Sequence, residues 1–301
     1  MSVSIFSGHI CNIYFMRLLY LSLIALAITT TALASPQSEA AQQLFHDRKD
    51  AEAKVAFGEL AKREARNADA QFYLGRLAMR AKEFDAAVTH FEKAISLDGN
   101  RAAYHLELAG AYGAKVGSAG LLGKASLASK SRKALENAVA LEPNNVDARS
   151  GLVQFYSQAP SMMGGGMDKA HAQADVILQL NPARGRTTKA ALFAREKKYD
   201  EAFALFAIVL QEAPDDYNAL YQTGRLAAES GVNLDVGLAA LQRCLAMEPP
   251  AGAPGHAAAH WRVGNIHEKL GDKSAARAAY EASLARDAKF AQAIASLKKL
   301  N

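Results

Sequence analysis

Cysteine is almost missing from this chain. Of the two present, Cys11 lies ahead of an apolar run at Leu18 to Ile28 and Cys244 stands alone inside a helical pattern, so no intramolecular disulfide is available to the part that folds. Long hydrophobic runs are missing too: the stretch from Leu18 to Ile28 has 11 residues, well short of the roughly 20 that cross a bilayer. Charge of one sign is nowhere concentrated. The 35 Lys and Arg are scattered among 30 Asp and Glu, leaving a formal +5 without the basic arm or stripe that nucleic-acid binding requires. No spacing fixes a Ser, His and Asp together or brings two carboxylates into register, so no catalytic residue, cofactor or enzymatic activity is assigned.

The leading segment reads as an address. From Met16 the chain runs MRLLYLSLIALAITTTALAS: one positive charge at Arg17, the apolar run, then a polar stretch ending Ala32-Leu33-Ala34. That is the layout of a secretory signal with an A-x-A cleavage site. Residues 1–34 are therefore expected to be removed, leaving residues 35–301 as the folded part, without a permanent membrane span, in the periplasm or outside the cell. The uncharged stretch Met1 to Phe15 makes Met16 an alternative start. Arg17 is the one formally charged residue among the first 34, so the remainder is near +4.

What is present in quantity is alanine, within a composition that is 50% hydrophobic, and a length of 301 residues that exceeds the usual ~100–150 of one domain. Small side chains suit helices packed closely on helices. A motif recurs along the chain at intervals close to 34 residues, most clearly from Ala68: ADAQFYLGRLAMRAKEFDAAVTHFEKAISLDGN, with Leu74-Gly75 where two helices cross and Ala87, Phe91 and Ala94 on the second helix. Further copies carry Leu108-Ala109, Tyr112, Ala138 and Pro143; Leu152, Tyr156, Ala170 and Pro182; Ala202, Phe206 and Pro214; Gly224, Leu241 and Pro249; and Gly264, Gly271, Ala276 and Tyr280. A degenerate opening copy, residues 35–67, has Ala53 and Phe57 at the second-helix places. The last segment, Phe290 to Asn301, is amphipathic with Lys298 and Lys299 outward, as a terminal cap requires.

These residues resemble the tetratricopeptide-repeat family over nearly all of residues 35–301. The resemblance implies an all-α, right-handed superhelical solenoid of about seven antiparallel helix pairs plus a capping helix. Departures from the pattern are Gly99 and Ala288 where Pro is usual, Ile177 and Ser283 where Ala is usual, and a helix at Arg184 to Arg195 without the Leu-Gly mark. The family holds peptides on the surface made by the first helix of each pair. Its second, fifth, ninth, twelfth and thirteenth places here give Phe72, Arg76, Met79 and Arg80; Ser150, Gln154 and Gln158; Tyr221, Arg225 and Glu229; and Trp261, Asn265, Glu268 and Lys269. Aromatic residues interleaved with Arg are expected there as exposed binding hot spots, with the guanidinium groups suited to an acidic or carboxylate-ended segment. The reading is thus an exported protein–protein interaction module, a scaffold or adaptor. The alternatives are an envelope assembly factor that hands over substrates, and a metal carrier.

Four other groups invite chemistry. The stretch Ser118 to Ser126 approaches a phosphate-binding loop, but Ser118 replaces the first Gly and Ala125 the Ser or Thr that would hold Mg²⁺. His256, His260 and His267 fall on one helix face, yet His260 and His267, like His105, occupy places where the family packs large side chains, so packing is expected and no metal site is assigned. Cys244 sits where a small buried residue belongs. Met162, Met163 and Met167 flank Gly164-Gly165-Gly166, where thioethers could hold Cu(I) and where a loop with Asp168 capping the next helix is the plainer reading.

Two copies are longer than the rest. Leu108 and Ala138 are 30 apart where Leu74 and Ala94 are 20 apart, and Leu152 and Pro182 are 30 apart where Leu74 and Gly99 are 25. Both additions fall between the two helices of a pair, in neighbouring pairs, so Val116 to Lys124 and Met162 to Met167 are expected to meet on one edge and form a second contact site.

Overall fold

The computed structural model describes residues 35–300; residues 1–34, where the secretory signal with Arg17 and Ala32-Leu33-Ala34 is expected, lie outside the described residues. Among the described residues there is no strand, and helices follow one another in pairs. The pairs are α1 (Pro36–His46) with α2 (Asp50–Arg63), α3 (Ala68–Arg80) with α4 (Phe84–Leu97), α5 (Ala102–Lys115) with α6 (Leu121–Leu141), and α7 (Val146–Gln158) with α8 (Met167–Leu180). Then come α9 (Pro182–Arg195) with α10 (Tyr199–Glu212), α11 (Tyr217–Ser230) with α12 (Leu234–Leu245), α13 (His256–Lys269) with α14 (Lys273–Arg286), and a final α15 (Ala291–Leu300). The expected seven pairs and cap are thus present, in an all-α solenoid.

Local chemistry sets the starts and turns of these helices. Asn67, Asn145, Asn181 and Asp216 each precede a first helix and accept a hydrogen bond from the backbone N–H three residues on, at 2.8–3.0 Å. Each bond satisfies one of the donors a helix start leaves unpaired. Between the two helices of a pair the chain reverses through a left-handed residue: Arg48, Lys82 and Lys197 have φ near +60° and Gly271 has φ +81°.

Packing follows the small-to-large pattern of the repeat. Ala53, Ala87, Ala138, Ala170, Ala202 and Ala276 are fully buried on second helices, and Phe57, Phe91, Ile177, Phe206 and Tyr280 fill the space beside the alanines of their own helices. First helices approach second helices where a glycine faces a large side chain. A Cβ on Gly75 would lie 2.6 Å from the Phe91 ring, one on Gly224 2.2 Å from Leu241 Cγ, and one on Gly264 2.3 Å from the Tyr280 ring. Polar ties join successive pairs: Tyr104 Oη donates to Asp69 at 2.6 Å, and Tyr217 Oη to the Pro254 carbonyl at 2.6 Å. The cap closes the last pair, with Ala293 buried, Trp261 Nε1 donating to Ser296 Oγ at 3.1 Å, and Lys298 and Lys299 exposed.

The two lengthened copies are the exceptions to short turns. The 21-residue α6 begins about two turns early relative to other second helices, which have 12 to 14 residues, and a short 3₁₀ turn at Val116–Ser118 leads into it. A second 3₁₀ turn, Ser161–Met163, precedes α8.

Candidate functional site

The surface made by the first helices holds two adjacent hollows in the middle of the array. One, of about 550 Å³, lies across α7, α9 and α11. Its walls carry Arg184 and Arg195 on α9 and Arg225 on α11, with Gln154, Thr188 and Gln222 between them and Phe206 at its base; no carboxylate lines it. Asp147, exposed at the rim, pairs with Arg184 at 2.7 Å. Among the described residues Arg195 and Arg225 form no ion pair, and two buried polar atoms of this hollow, Gln222 Oε1 and Arg225 Nε, have no hydrogen-bond partner. Cations without counter-ions beside unsatisfied polar atoms suit a carboxylate-bearing chain with backbone groups to share.

The other hollow, of about 940 Å³, lies between α5, the early turns of α6 and α7. It is lined by Gly110, Gly113 and Gly151, by Leu122 and Ala125 of α6, and by Phe155, Met162 and Met163, and it carries Lys124 as its one charged group. Both additions therefore border the same space. Gln154 and Gln158 line both hollows, so the two are continuous.

The glycines beside it form a bound turn. Gly164 has φ +87°, a Cβ on Gly165 would lie 1.8 Å from the Ala159 carbonyl oxygen, and Gly166 has φ +153°, so side chains are excluded at each. Gly165 and Gly166 donate their N–H groups to the carbonyls of Pro160 and Tyr156 at 3.1 and 2.8 Å. Asp168 does not cap α8; Gly166 occupies that place and Asp168 lies in the first turn. The Arg132 guanidinium, over the Phe155 ring at 5.9 Å, sits against Gly164 and ties the long α6 to this turn.

The residues singled out by repeat position divide sharply. Phe72 and Tyr221, expected as exposed aromatics, are buried: Phe72 packs on Tyr104 at 4.8 Å between ring centroids, and Tyr221 belongs to the core around Leu241. Trp261 is half-buried against Phe290 of the cap segment, and Asn265 accepts a hydrogen bond from Tyr280 Oη at 2.8 Å. Met79 packs against the core of the second and third pairs.

The two N-terminal arginines are likewise engaged inside the protein. Arg76 reaches Glu107 at 3.3 Å and lies 4.7 Å from the Phe45 ring centroid. Burial pushes the Glu107 carboxyl above its usual range, against the pull of Arg76. Arg80 stacks 3.5 Å over the same Phe45 ring while donating to the Phe45 carbonyl and to Asp50, so it ties the second pair to the first. Lys269 is exposed at the far end. Of the residues assigned by position, Gln154 and Arg225, with Ser150 and Gln158, open on the cationic hollow; Lys124, Met162 and Met163 open on the apolar one.

Sequence reasoning passed over Arg184, Thr188 and Arg195 because α9 lacks the Leu-Gly mark from which positions are counted. A signal existed: Arg184, Thr188, Ala191 and Arg195 are spaced 4, 3 and 4 apart, one stripe of a helix.

The remaining chemistry resolves into packing. His105 is buried with Nε2 3.0 Å from the Gly99 carbonyl, His256 Nε2 is 2.8 Å from the Met247 carbonyl, and burial holds the half-buried His260 below the usual imidazole range. Cys244 is fully buried, its thiol pushed up to about 11 by burial. Among the described residues no three His, Cys, Asp or Glu side chains converge on one point, and no helix is long and apolar enough to cross a membrane.

Residues 68–101 and residues 221–291 match the family described as Tetratricopeptide repeat. The fold is a tetratricopeptide-repeat solenoid. It is similar to a tetratricopeptide repeat protein from Parabacteroides merdae, with 18% identity, coverage of 89% of this chain and 98% of that one, and a TM-score of 0.67. It also resembles yeast Tom70, at 16% identity and TM-score 0.62 over 84% of this chain and 51% of that one. No curated protein matches the sequence. Tetratricopeptide-repeat solenoids present extended surfaces to other proteins.

Proposed function

We propose that this protein is an interaction scaffold that holds a carboxylate-bearing segment of another protein across α7, α9 and α11. The observation that carries this reading is the cationic hollow itself: three arginines converge where no carboxylate lines the wall, and Gln222 Oε1 and Arg225 Nε lack partners. Charge-assisted hydrogen bonds to carboxylates contribute roughly 1.5–3 kcal/mol each when partly desolvated. Arg195 and Arg225 are the two guanidinium groups without an ion pair to break, so they are the ones a ligand engages at least cost.

The test is an array of 12-residue peptides carrying from none to four Asp or Glu and a free C-terminus, read by fluorescence anisotropy. Acidic members are expected to bind, with affinity falling at least tenfold for Arg195→Ala/Arg225→Ala while the circular dichroism of the protein stays unchanged. Equal binding of neutral and acidic peptides, or no effect of the double variant, would remove the reading. Export is part of the same proposal, supported by Arg17, the apolar run and Ala32-Leu33-Ala34. The N-terminal sequence of the protein recovered from cells is expected to begin at Ser35, and a cytosolic product retaining Met1 would refute it.

A further inference from the structure

We infer that the apolar hollow built by the two additions is a second subsite for the same bound segment, taking large apolar side chains next to the acidic residues held at Arg195 and Arg225. The inference rests on the proposed carboxylate-binding groove and extends it to a bipartite ligand: an apolar cluster adjoining an acidic one in a single stretch of a partner protein.

Three observations carry it. The first is the nature of the wall. Leu122 is 87% exposed and Met162 91%, both lining a space that Gly110, Gly113 and Gly151 also line, in a protein where most large apolar side chains are covered. The second is how the space is made. A Cβ on Gly110 or Gly113 would meet nothing within 4 Å, so these two glycines, in the interior of α5, serve no close helix crossing. Glycine inside a helix costs up to about 1 kcal/mol relative to alanine, and here it leaves room above the helix and no tighter packing beneath it. The third is charge and continuity. The apolar hollow shares Gln154 and Gln158 with the cationic one, and neither is lined by a carboxylate. A segment with apolar residues at one end and carboxylates at the other is complementary to both halves at once. A purely apolar ligand would leave Arg195 and Arg225 unpaired beside it, and a purely acidic one would leave Leu122 and Met162 in water.

Joining two weak subsites through one short segment strengthens both, since the second contact forms within the bound complex. The experiment therefore compares three peptide sets on the full-length protein: acidic only, apolar only, and bipartite, the last with two residues chosen from Leu, Phe and Met placed up to eight residues from a pair of Asp. Bipartite peptides are expected to bind at least tenfold more tightly than either of the others.

Two variants separate the subsites. Gly110→Leu places a large side chain into the apolar hollow from a position where a Cβ meets nothing within 4 Å, and Leu122→Ser/Met162→Ser strips exposed lining residues without touching the core. Either should reduce bipartite binding to the acidic-only level and leave acidic-only binding unchanged, whereas Arg195→Ala/Arg225→Ala should weaken both.

If bipartite and acidic peptides bind alike, or if filling the hollow changes nothing, the second subsite does not exist and the carboxylate groove survives. If no acidic peptide binds, both fail together. A dimer seen by light scattering that Gly110→Leu dissolves would assign the hollow to a second copy of this chain and overturn the bipartite ligand.

Discussion

Glycine does one job near the ends of this solenoid and a different one at its centre. In the second, sixth and seventh pairs, Gly75, Gly224 and Gly264 let a first helix close on its own partner, against Phe91, Leu241 and Tyr280. At the centre the tight contacts lie between pairs: a Cβ on Gly151 of α7 would fall 2.6 Å from Leu135 of α6, and one on Gly185 of α9 would fall 2.2 Å from the Cα of Leu178 on α8. Gly110 and Gly113, also central, touch nothing. Where pairs close on themselves the surface of first helices is sealed by buried aromatics and internal ion pairs, as at Phe72, Arg76 and Arg80. The apolar hollow sits where the additions occur, and the cationic one adjoins it across α7, α9 and α11.

The widest separation is expected from placing a single methyl at these glycines. Gly185→Ala drives a Cβ into backbone that cannot rotate away, and it should cost about 3 kcal/mol; Gly224→Ala meets a branched, buried Leu241 and should cost about 2 kcal/mol. Gly110→Ala should instead stabilise by about 0.5–1 kcal/mol, because it gains helix propensity and meets no neighbour. Midpoints of urea unfolding for the three proteins measure this directly. A shared sign would erase the distinction between structural and surface glycines.

A smaller effect is expected at Arg80, and it should be local. Arg80→Met keeps the contact with the Phe45 ring but removes the hydrogen bonds to the Phe45 carbonyl and Asp50, which should cost about 1–2 kcal/mol given that the guanidinium is mostly covered. Because each pair rests only on its neighbours, the loss should appear as faster amide exchange in α1 and α2 with the cationic hollow unaltered. Weakened peptide binding without faster exchange would make Arg80 a ligand contact, against the role its bonds assign it.

Much of this was legible before any coordinates. The recurring Ala and Phe of second helices, the glycine at crossings and the Pro or polar stops count out the pairs correctly, because those places are set by how closely two helices can approach. The additions were legible as changes in spacing between the same marks. Position counting served less well for exposure. It placed Phe72 and Tyr221 outward when both are core, since an aromatic on a first helix can turn toward the neighbouring pair. It could not number α9 at all, and so missed Arg184 and Arg195.

The sequence by itself determined that this chain is an all-helical repeat array and where its irregular copies lie, since helix periodicity and the size of crossing residues are local properties of the chain. The tertiary structure alone decided which arginines are free. Arg76 and Arg80 are consumed by Glu107, Asp50 and Phe45 from other pairs, whereas Arg195 and Arg225 face a space with no carboxylate in it. The partners of Arg76 and Arg80 lie about 30 or more residues away in sequence, and only the stacking of one pair on the next brings them within reach.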